Sequence, residues 1–234
     1  MNRPTALELS RQWDAVAETR LRQITSGVDV SYRKTLLPAI QDELPAAGRV
    51  LDIGCGVGAL SDAIADRGLD VVAIDPSVTN ISLARENFVR PNLEFFLCAA
   101  EDLPLANHGR FDAIVSNMVL MDVVDLDRVI ATSHAVSRPN AKFIATLTHP
   151  CFWPHYFGYE TATWFNYNSE IFVTAPFRIS NELTNINTIH VHRPLTSYFA
   201  ALTRNGFRDI QLTELYGDGP FAYPRFLRLV AAAV

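Results

Sequence analysis

Between residues 49 and 149, short apolar runs alternate with helical patterns along the chain. The apolar runs RVLDI, LDVVAID, NLEFFLC, FDAIVSN and KFIATLTH predict five strands, and segments such as SDAIADRG and VTNISLARENF predict helices between them. Strands that alternate with helices form βαβ units, whose parallel sheet is covered on both faces. This alternation therefore predicts an α/β fold.

Regular patterns also flank this region. An apolar stripe predicts a helix over residues 5–26, and a second helical stretch over 31–44 is interrupted by Pro38. After His149 the alternation stops, and the strands FVTAPFRI and TIHVHR are expected around a turn at Asn181–Glu182. PLTSYFAALTRNG predicts a helix, and FRDIQLTEL and RFLRLVAAAV predict two more strands. We therefore predict a Rossmann-like fold with a seven-stranded, mostly parallel sheet and helices on both faces.

The composition narrows the class of protein. The 234 residues are 49% hydrophobic with a net charge of −5, which is typical of a globular protein and a poor match to nucleic-acid binding. The segment MNRPTALELSRQW has no apolar signal core, and no stretch approaches the length of a membrane helix. The three cysteines are widely spaced, which argues against a disulfide framework or structural zinc. We expect a cytoplasmic protein without membrane or nucleic-acid partners.

A glycine-rich segment, VLDIGCGVGAL at residues 50–60, stands where the first core strand is expected to turn into a helix. Glycines there let the backbone turn tightly, and they let a ligand approach the free N–H groups of the helix. The pattern also matches the dinucleotide-binding fingerprint, so an NAD-dependent oxidoreductase stays an alternative. Asp52 would repel a pyrophosphate but accept hydrogen bonds from an ammonium group. It therefore favours a cofactor with an amino-acid end.

In these residues the chain resembles the class I S-adenosylmethionine (SAM)-dependent methyltransferases, over about residues 49–149. VLDIGCGVG is similar to the glycine motif of that family, VVAIDPS to its second signature, AAEDLPL to its adenine segment and FDAIVSNMVLMDV to its strand-four signature. The resemblance implies SAM as the cofactor, with S-adenosylhomocysteine as its product. It also implies that Asp75 holds the ribose hydroxyls, and a diol does offer two donors to one carboxylate.

The four segments fall at the carboxyl ends of consecutive strands, where open α/β sheets bind ligands. By resemblance, the backbone of Ala100 and Glu101 or the side chain of Asp102 contacts the adenine. Asn117 and Met118 would border the sulfonium. Tyr32 and Arg33 in the cap are candidates to bind the methionine carboxylate. The whole predicted cofactor set is Tyr32, Arg33, Asp52, Gly54, Cys55, Gly56, Gly58, Asp75, Pro76, Ser77, Ala100, Glu101, Asp102, Asn117 and Met118.

Methyl transfer from an activated donor mainly requires an acceptor positioned in a dry site, and a base only when the acceptor is protonated. His149, at the end of strand five, is the preferred base, with His192 and Tyr156 as alternatives. His149 could instead fix the segment that follows it. His190 and His192 share one face of a strand, but no third ligand is evident, so no metal is expected. HPCF at 149–152 and HRPL at 192–195 resemble segments of a small-molecule methyltransferase subgroup.

Aromatic residues are concentrated after strand five. Ten of the 24 lie between Cys151 and Phe177, where Glu160 and Glu170 are the acidic residues and no Lys or Arg occurs. Small-molecule sites are mostly apolar and aromatic, so we expect a lid over a planar or hydrophobic acceptor. Exposed aromatic patches also mark interfaces, so a homodimer face stays open. The predicted substrate-binding residues are Met121, Cys151, Trp153, Tyr159, Trp164, Tyr167 and His190.

These features predict one domain with four parts. They are a helical cap, a cofactor-binding core, a substrate-lid insertion, and a C-terminal helix with strands, over residues 1–47, 48–149, 150–193 and 194–234. The predicted function is SAM-dependent methyl transfer to an O or N atom of a small aromatic or hydrophobic metabolite, for example in secondary metabolism. A C-methyltransferase and a non-methylating SAM-binding partner protein stay alternatives.

Overall fold

The computed structural model describes residues 4–103, 109–179 and 182–234. Its helices are α1 (Ala6–Thr25), α2 (Leu37–Gln41), α3 (Ala59–Ala65), α4 (Val78–Asn87), α5 (Leu126–Ala135), α6 (Trp153–Phe157) and α7 (Leu195–Arg204). Its strands are β1 (Arg49–Ile53), β2 (Asp70–Asp75), β3 (Leu93–Leu97), β4 (Phe111–Asn117), β5 (Ser137–Thr148), β6 (Ile171–Ile179), β7 (Glu182–His192), β8 (Phe207–Leu215) and β9 (Phe226–Ala233).

Seven of these strands form one sheet in the order β3-β2-β1-β4-β5-β9-β8. Strands β1 to β5 are parallel, whereas β9 runs antiparallel to β5 and β8. The predicted Rossmann-like, mostly parallel seven-stranded sheet is therefore confirmed. The strand order reverses between β1 and β4, which pair in register at Leu51 and Ile114. Ligands of open α/β sheets bind at such a reversal, beyond the carboxyl ends of the strands.

Apolar side chains fill both faces of the sheet. Leu51, Ile114 and Phe143 are fully buried in the cluster that includes α5 and α7. Val50 and Ile64 are fully buried in the second cluster, which includes α2 and α3. Burial of such a side chain stabilises the fold by roughly 1.5–3 kcal/mol. Residues buried on both faces explain why the strands read as continuous apolar runs rather than as alternating patterns.

Of the two helical segments predicted in the N-terminal cap, the first agrees closely with the structure and the second agrees less closely. Helix α1 begins after Thr5, which forms a capping box with Glu8, and it ends at Thr25 within the predicted range. The stretch expected to be helical over 31–44 is a π-helical turn, Tyr32–Leu36, followed by the short α2. Pro38 stands in the first turn of α2, where its missing N–H is tolerated.

Helix α1 ties the cap to the core and to the insertion. Asp14 accepts hydrogen bonds from the hydroxyl of Ser77 at 2.6 Å and from the backbone N–H of Thr79 at 3.0 Å, at the start of α4. On the other side, the Gln12 amide exchanges two hydrogen bonds with the backbone of Ile189 in β7, at 2.7 and 3.1 Å. The cap therefore bridges the end of β2 and the inserted segment.

The two strands expected after residue 171 pair antiparallel as a separate ribbon, β6–β7. Part of the predicted turn at Asn181–Glu182 lies outside the described residues. The ribbon docks on the loop after β4, where the N–H of Val191 donates to the carbonyl of Met121 at 2.6 Å. Arg193, which is 2% exposed, donates to the carbonyls of residues 120, 123 and 124 and to Glu170 at 2.7 Å.

We predict that Arg193→Ala lowers the free energy of unfolding by about 3 kcal/mol, because a buried guanidinium loses an ion pair and leaves three carbonyls without that donor. Urea denaturation measures the change. Arg204→Ala is the control, since Arg204 pairs with Asp127 on the surface and its loss is expected to cost about 0.5 kcal/mol or less. Equal losses in both variants would contradict the role of Arg193.

Candidate active site

A cavity of about 300 Å³ opens at the carboxyl edge of the sheet, where residues of the cap, the ribbon and the ends of β1, β2, β4 and β5 meet. Its walls bring together most of the predicted cofactor residues. Those that line it are Tyr32, Asp52, Gly54, Cys55, Gly56, Asp75, Pro76, Ala100, Glu101, Asn117 and Met118. A concave site at the strand reversal is the usual position of a ligand pocket in this architecture.

The glycine-rich segment connects β1 to α3 as a tight loop below the cavity. Gly56 lines the cavity with a φ of 55°, and a Cβ atom there would meet no described atom within 4 Å. Gly58 has a φ of 89° and lies outside the cavity wall. It packs against Phe95, since a Cβ atom at this position would lie 2.8 Å from the Cζ atom of that ring. One glycine therefore leaves bare backbone open to a ligand, and the other allows close packing behind the loop.

Asp52 is the most distinctive polar group in the wall, with a residue exposure of 1%. Its Oδ2 accepts a 2.6 Å hydrogen bond from the hydroxyl of Ser61, whereas its buried Oδ1 has no partner among the described residues. Burial raises the pKa of Asp52 to about 7, the Ser61 hydrogen bond opposes this, and the charge of Asp75 adds to it. A buried carboxylate oxygen without a donor is costly, so this wall fits a ligand with a cationic donor.

Asp75 stands one strand away, at the end of β2, and is also buried. Its Oδ2 accepts the N–H of Gly56 at 2.9 Å, and its Oδ1 accepts the N–H of Ser77 at 2.8 Å and the amide of Asn80 at 3.3 Å. Burial raises the pKa of Asp75, and these hydrogen bonds oppose that shift. Since a carboxylate has about four acceptor sites, Asp75 retains capacity for a ligand hydroxyl.

The end of β4 forms the floor of the cavity. Asn117 accepts a 2.7 Å hydrogen bond at Oδ1 from the Thr146 hydroxyl of β5. Met118 follows with a φ of 59°, a conformation that is uncommon for a residue with a side chain. Its N–H donates to the carbonyl of Thr146 at 2.8 Å, so pairing with β5 holds this turn. Strained backbone held in this way is typical of ligand sites.

Four predicted cofactor residues do not line the cavity, for separate physical reasons. Arg33 is exposed on the π-helical turn. Asp102 lies on the surface, where it pairs with Arg128 at 2.8 Å. The Ser77 hydroxyl donates its proton to Asp14 of α1. Gly58 packs behind the loop as described above.

The cap instead presents a different arginine. Arg20 lines the cavity beside Tyr32 and forms an ion pair with Asp29 at 3.0 Å. Asp29 in turn accepts the N–H of Tyr32 at 2.9 Å, which fixes the first residue of the π-helical turn. Arg20 lies at helical spacing from Trp13, Val16 and Ile24, on the apolar face of α1 that turns toward the cavity. That spacing was the available signal, an arginine within the apolar stripe, and it was not used.

Among the predicted substrate residues, Met121, Trp153 and His190 line the cavity. The remaining four form a layer behind that wall. Tyr159 is buried, with its hydroxyl 3.3 Å from Nε2 of His190, and the Trp164 ring stacks on it with 5.5 Å between ring centres. The Tyr167 hydroxyl lies 3.3 Å from Sγ of Cys151 and accepts the backbone N–H of residue 195.

His149, the preferred base of the sequence analysis, is 2% exposed and lies outside the cavity wall. Its Nε2 lies 3.2 Å from Oε1 of Glu214, its Nδ1 accepts the N–H of Cys151 at 3.3 Å, and its ring packs on Phe152. Burial lowers the pKa of His149, and Glu214 opposes that shift. Both ring nitrogens thus face protein groups, so this geometry supports the alternative in which His149 fixes the insertion.

The two alternative bases, His192 and Tyr156, also contact protein groups and lie outside the cavity wall. His192 has its Nε2 3.0 Å from the carbonyl of Tyr167, and burial lowers its pKa. Tyr156 donates its hydroxyl proton to the carbonyl of Tyr223 at 2.5 Å. Neither side chain lines the cavity, because each anchors the insertion to a neighbouring segment.

Four titratable groups of the acceptor side were not singled out as proton-transfer or charge-binding groups from sequence. Asp122, His190, Arg178 and Arg225 all line the cavity. Burial raises the pKa of Asp122 well above its usual range, with Arg193 opposing, and burial lowers the pKa of His190 to about 4. Asp122 had one available signal, its place in the strand-four segment, whereas no local pattern marks the arginines.

Within the described residues, no group of three His, Cys, Asp or Glu residues is placed to hold a metal ion.

Part of the chain is similar to known methyltransferases. A family model described as a methyltransferase domain matches residues 51–145. Demethylmenaquinone methyltransferase of Renibacterium salmoninarum is 36% identical over 107 residues, which cover 45% of this chain and 44% of that protein. Ubiquinone biosynthesis O-methyltransferase of Xanthomonas axonopodis pv. citri is 30% identical over 141 residues, which cover 59% and 56%. The chain thus spans about half the length of these curated relatives.

Among solved structures, a SAM-dependent methyltransferase from Thermotoga maritima superposes with a TM-score of 0.69 at 14% identity, covering 97% of this chain and 100% of that one. Residues 51–145 are therefore similar to a methyltransferase domain, and the superposition confirms the predicted fold of the SAM-dependent methyltransferases. This domain implies SAM as the cofactor. The unpartnered Oδ1 of Asp52 and the open backbone at Gly56 fit a ligand with an ammonium group. No helix within the described ranges is long and apolar enough to cross a membrane.

We predict that Asp52→Asn stabilises the ligand-free protein by roughly 2–4 kcal/mol at pH 8 and by much less at pH 5. The raised pKa means that folding favours the neutral carboxyl, so the wild type loses stability as the pH rises from about 4 through about 7. An asparagine stays neutral throughout that range and can still accept from Ser61. Thermal unfolding at the two pH values measures the difference, and a gap that does not widen with pH would contradict it.

Proposed function

We propose that this protein is a SAM-dependent methyltransferase that acts on an O or N atom of a small aromatic or hydrophobic metabolite. The observation that carries the proposal is one cavity with two different ends. One end has the unpartnered carboxylate oxygen of Asp52 and the glycine loop, and the other has the rings of Trp153, Phe157 and Phe177. When bound, SAM supplies an electrophilic methyl group and leaves as S-adenosylhomocysteine.

In this proposal the cofactor end binds through groups of the core. Asp52 accepts hydrogen bonds from an ammonium group, and Asp75 accepts them from a diol, as its place at the end of β2 supports. Asn117 and Met118 form the floor where β4 ends, between the cofactor end and the acceptor. Arg20 and Tyr32 stand at the cap side, where a carboxylate of the cofactor could be received.

The acceptor end excludes water and handles a proton. The ribbon and α6 cover the cavity with apolar side chains, which supports the interpretation of residues 150–193 as a lid. His190 is neutral near pH 7, because burial and the neighbouring His192 lower its pKa to about 4. In the proposed tautomer the ring proton is on Nε2 and is donated to the Tyr159 hydroxyl, so the unprotonated Nδ1 takes the proton of an acceptor hydroxyl. Burial raises the pKa of Asp122 and so favours its neutral form, which is proposed to donate a hydrogen bond to the acceptor.

The comparisons support the substrate class at a coarse level. Two relatives bear names that place them in the methylation of demethylmenaquinone and in the biosynthesis of ubiquinone, and the latter is named an O-methyltransferase. Both names agree with a small organic acceptor rather than a macromolecule. The proposal includes a cytoplasmic location, which three free thiols support.

We predict that S-adenosylhomocysteine binds the wild type and that Asp52→Asn weakens this binding at least tenfold at pH 8, because a neutral amide cannot form the charged pair. Wild-type affinity should also fall below about pH 7, where Asp52 becomes protonated before the ligand binds. Calorimetric titration measures both. The control is Asp66→Asn, since Asp66 is an exposed residue that pairs with Arg90 away from the cavity. Absence of binding by the wild type would refute the proposed function.

We also predict that His190→Gln lowers kcat about a hundredfold or more for a hydroxyl acceptor, while S-adenosylhomocysteine binding stays unchanged. The pKa of His190 near 4 implies that kcat persists down to about pH 5, so the pH effects on kcat and on cofactor affinity should separate. His155→Gln is the matched control, an exposed histidine of the same insertion paired with Glu160. An unchanged kcat in His190→Gln would remove the proton-transfer role and leave the methyltransferase proposal standing.

A further inference from the structure

Two arginines stand together at the acceptor end of the cavity. Arg178 lies near the end of β6, and Arg225 directly precedes β9. Each guanidinium lies against an aromatic ring, with Arg178 5.6 Å from the centre of the Phe157 ring and Arg225 4.6 Å from that of Phe221. The two segments are far apart in sequence, so only the fold brings these charges to one cavity.

Neither arginine is neutralised by the protein. In the described part of the chain, no carboxylate lies within 4.0 Å of either guanidinium, in contrast with the Arg20–Asp29 pair of the cap. The Nε atom of Arg225 is buried and has no hydrogen-bond partner among the same residues. Buried polar atoms in native proteins normally have partners, so an unpartnered donor in a cavity wall indicates a bound group.

The charge of Arg178 also acts on Arg225. Burial lowers the pKa of Arg225, and the positive charge of Arg178 lowers it further, whereas Asp29 and Tyr156 oppose the shift. Like charges in a partly desolvated cavity repel each other at a free-energy cost, which a bound anion would remove. The repulsion therefore indicates the sign of the missing partner.

The order of the strands separates Arg225 from the cofactor end. Along the carboxyl edge, β2 and β1 carry Asp75 and Asp52, followed by β4, β5 and then β9. Thr148 at the end of β5 pairs with Phe226, the residue after Arg225. Since neighbouring strands lie about 4.8 Å apart, β9 is roughly 14 Å from β1. The Arg225 backbone therefore lies on the side of the cavity away from the cofactor carboxylates.

We propose that the acceptor carries an anionic group, a carboxylate or a phosphate on its aromatic body, and that Arg178 and Arg225 bind this group. The inference rests on the proposed function and narrows its substrate class. Guanidinium groups offer planar, forked donors that match the oxygens of a carboxylate or phosphate. The rings of Trp153, Phe157 and Phe177 provide the apolar surface for the aromatic body.

The test uses three aromatic probes of different charge, namely benzoate, its neutral isostere benzamide, and the larger phenyl phosphate. Each is titrated calorimetrically into the full-length protein, with and without saturating S-adenosylhomocysteine. We expect at least one anion to bind about tenfold or more tightly than benzamide. Arg178→Gln and Arg225→Gln should each weaken that anion about tenfold and leave benzamide unchanged. Arg138→Gln is the matched control, because Arg138 pairs with Asp112 on the surface.

The outcomes separate the possibilities. Preference for benzoate assigns a carboxylate and preference for phenyl phosphate a phosphate, and both support the proposal. Similar binding of all three probes, or no measurable binding of either anion at millimolar concentration, overturns it. So does a loss of S-adenosylhomocysteine affinity in the arginine variants with anion affinity unchanged. Arg178→Lys and Arg225→Lys, checked by thermal unfolding, replace any glutamine variant that fails to fold, and they should retain part of the preference.

A failure of the proposed function looks different. If the wild type binds no S-adenosylhomocysteine, the methyltransferase proposal fails, whatever the probes show. The anion preference measured without S-adenosylhomocysteine then still decides whether Arg178 and Arg225 form an anion site. The two results are therefore distinguishable in one set of titrations.

Discussion

The structure depends on the parallel pairing of β1 with β4, where the order of the strands reverses. Because both strands end at the same edge and their following loops diverge, the sheet leaves a gap there. The glycine loop, Asp75, the strained turn at Met118 and the ribbon all meet around this gap. A register shift in this pair would move the buried residues of both strands to the opposite faces. The same pairing therefore determines both the packing of the core and the position of the site.

Two buried polar atoms without described partners stand at opposite ends of the cavity, Oδ1 of Asp52 and Nε of Arg225. The first belongs to a carboxyl group in β1 and the second to a guanidinium just before β9, and the fold does not pair them. Each lowers the stability of the free protein, because a desolvated polar group has lost its water without gaining a partner. Such atoms are retained where a bound ligand supplies the missing hydrogen bond. This explains why the unpartnered atoms lie in the walls where ligand binding is proposed.

The sequence predicted the sheet, its seven strands, the cap helix α1 and most of the cofactor wall, because these depend on local periodicity and on a contiguous motif. Its assignments were weakest where long-range packing decides. His149 stands at the predicted strand end, but Glu214 from β8 occupies its Nε2. The aromatic segment contains no arginine, and Arg178 directly follows it, so its composition did not indicate an arginine in the acceptor wall. Helix α6 was not predicted at all.

The sequence by itself determined the α/β architecture and a methyltransferase-like cofactor site, since alternating apolar runs and a glycine motif act over a few residues. Only the tertiary structure decided which side chains share the acceptor end. The four titratable groups there come from the loop after β4, from β6, from β7 and from the segment before β9, and they meet because the ribbon folds over the sheet edge: Asp122, Arg178, His190 and Arg225. The position of a side chain in a cavity depends on contacts between segments far apart in sequence, and local patterns contain no information about those contacts.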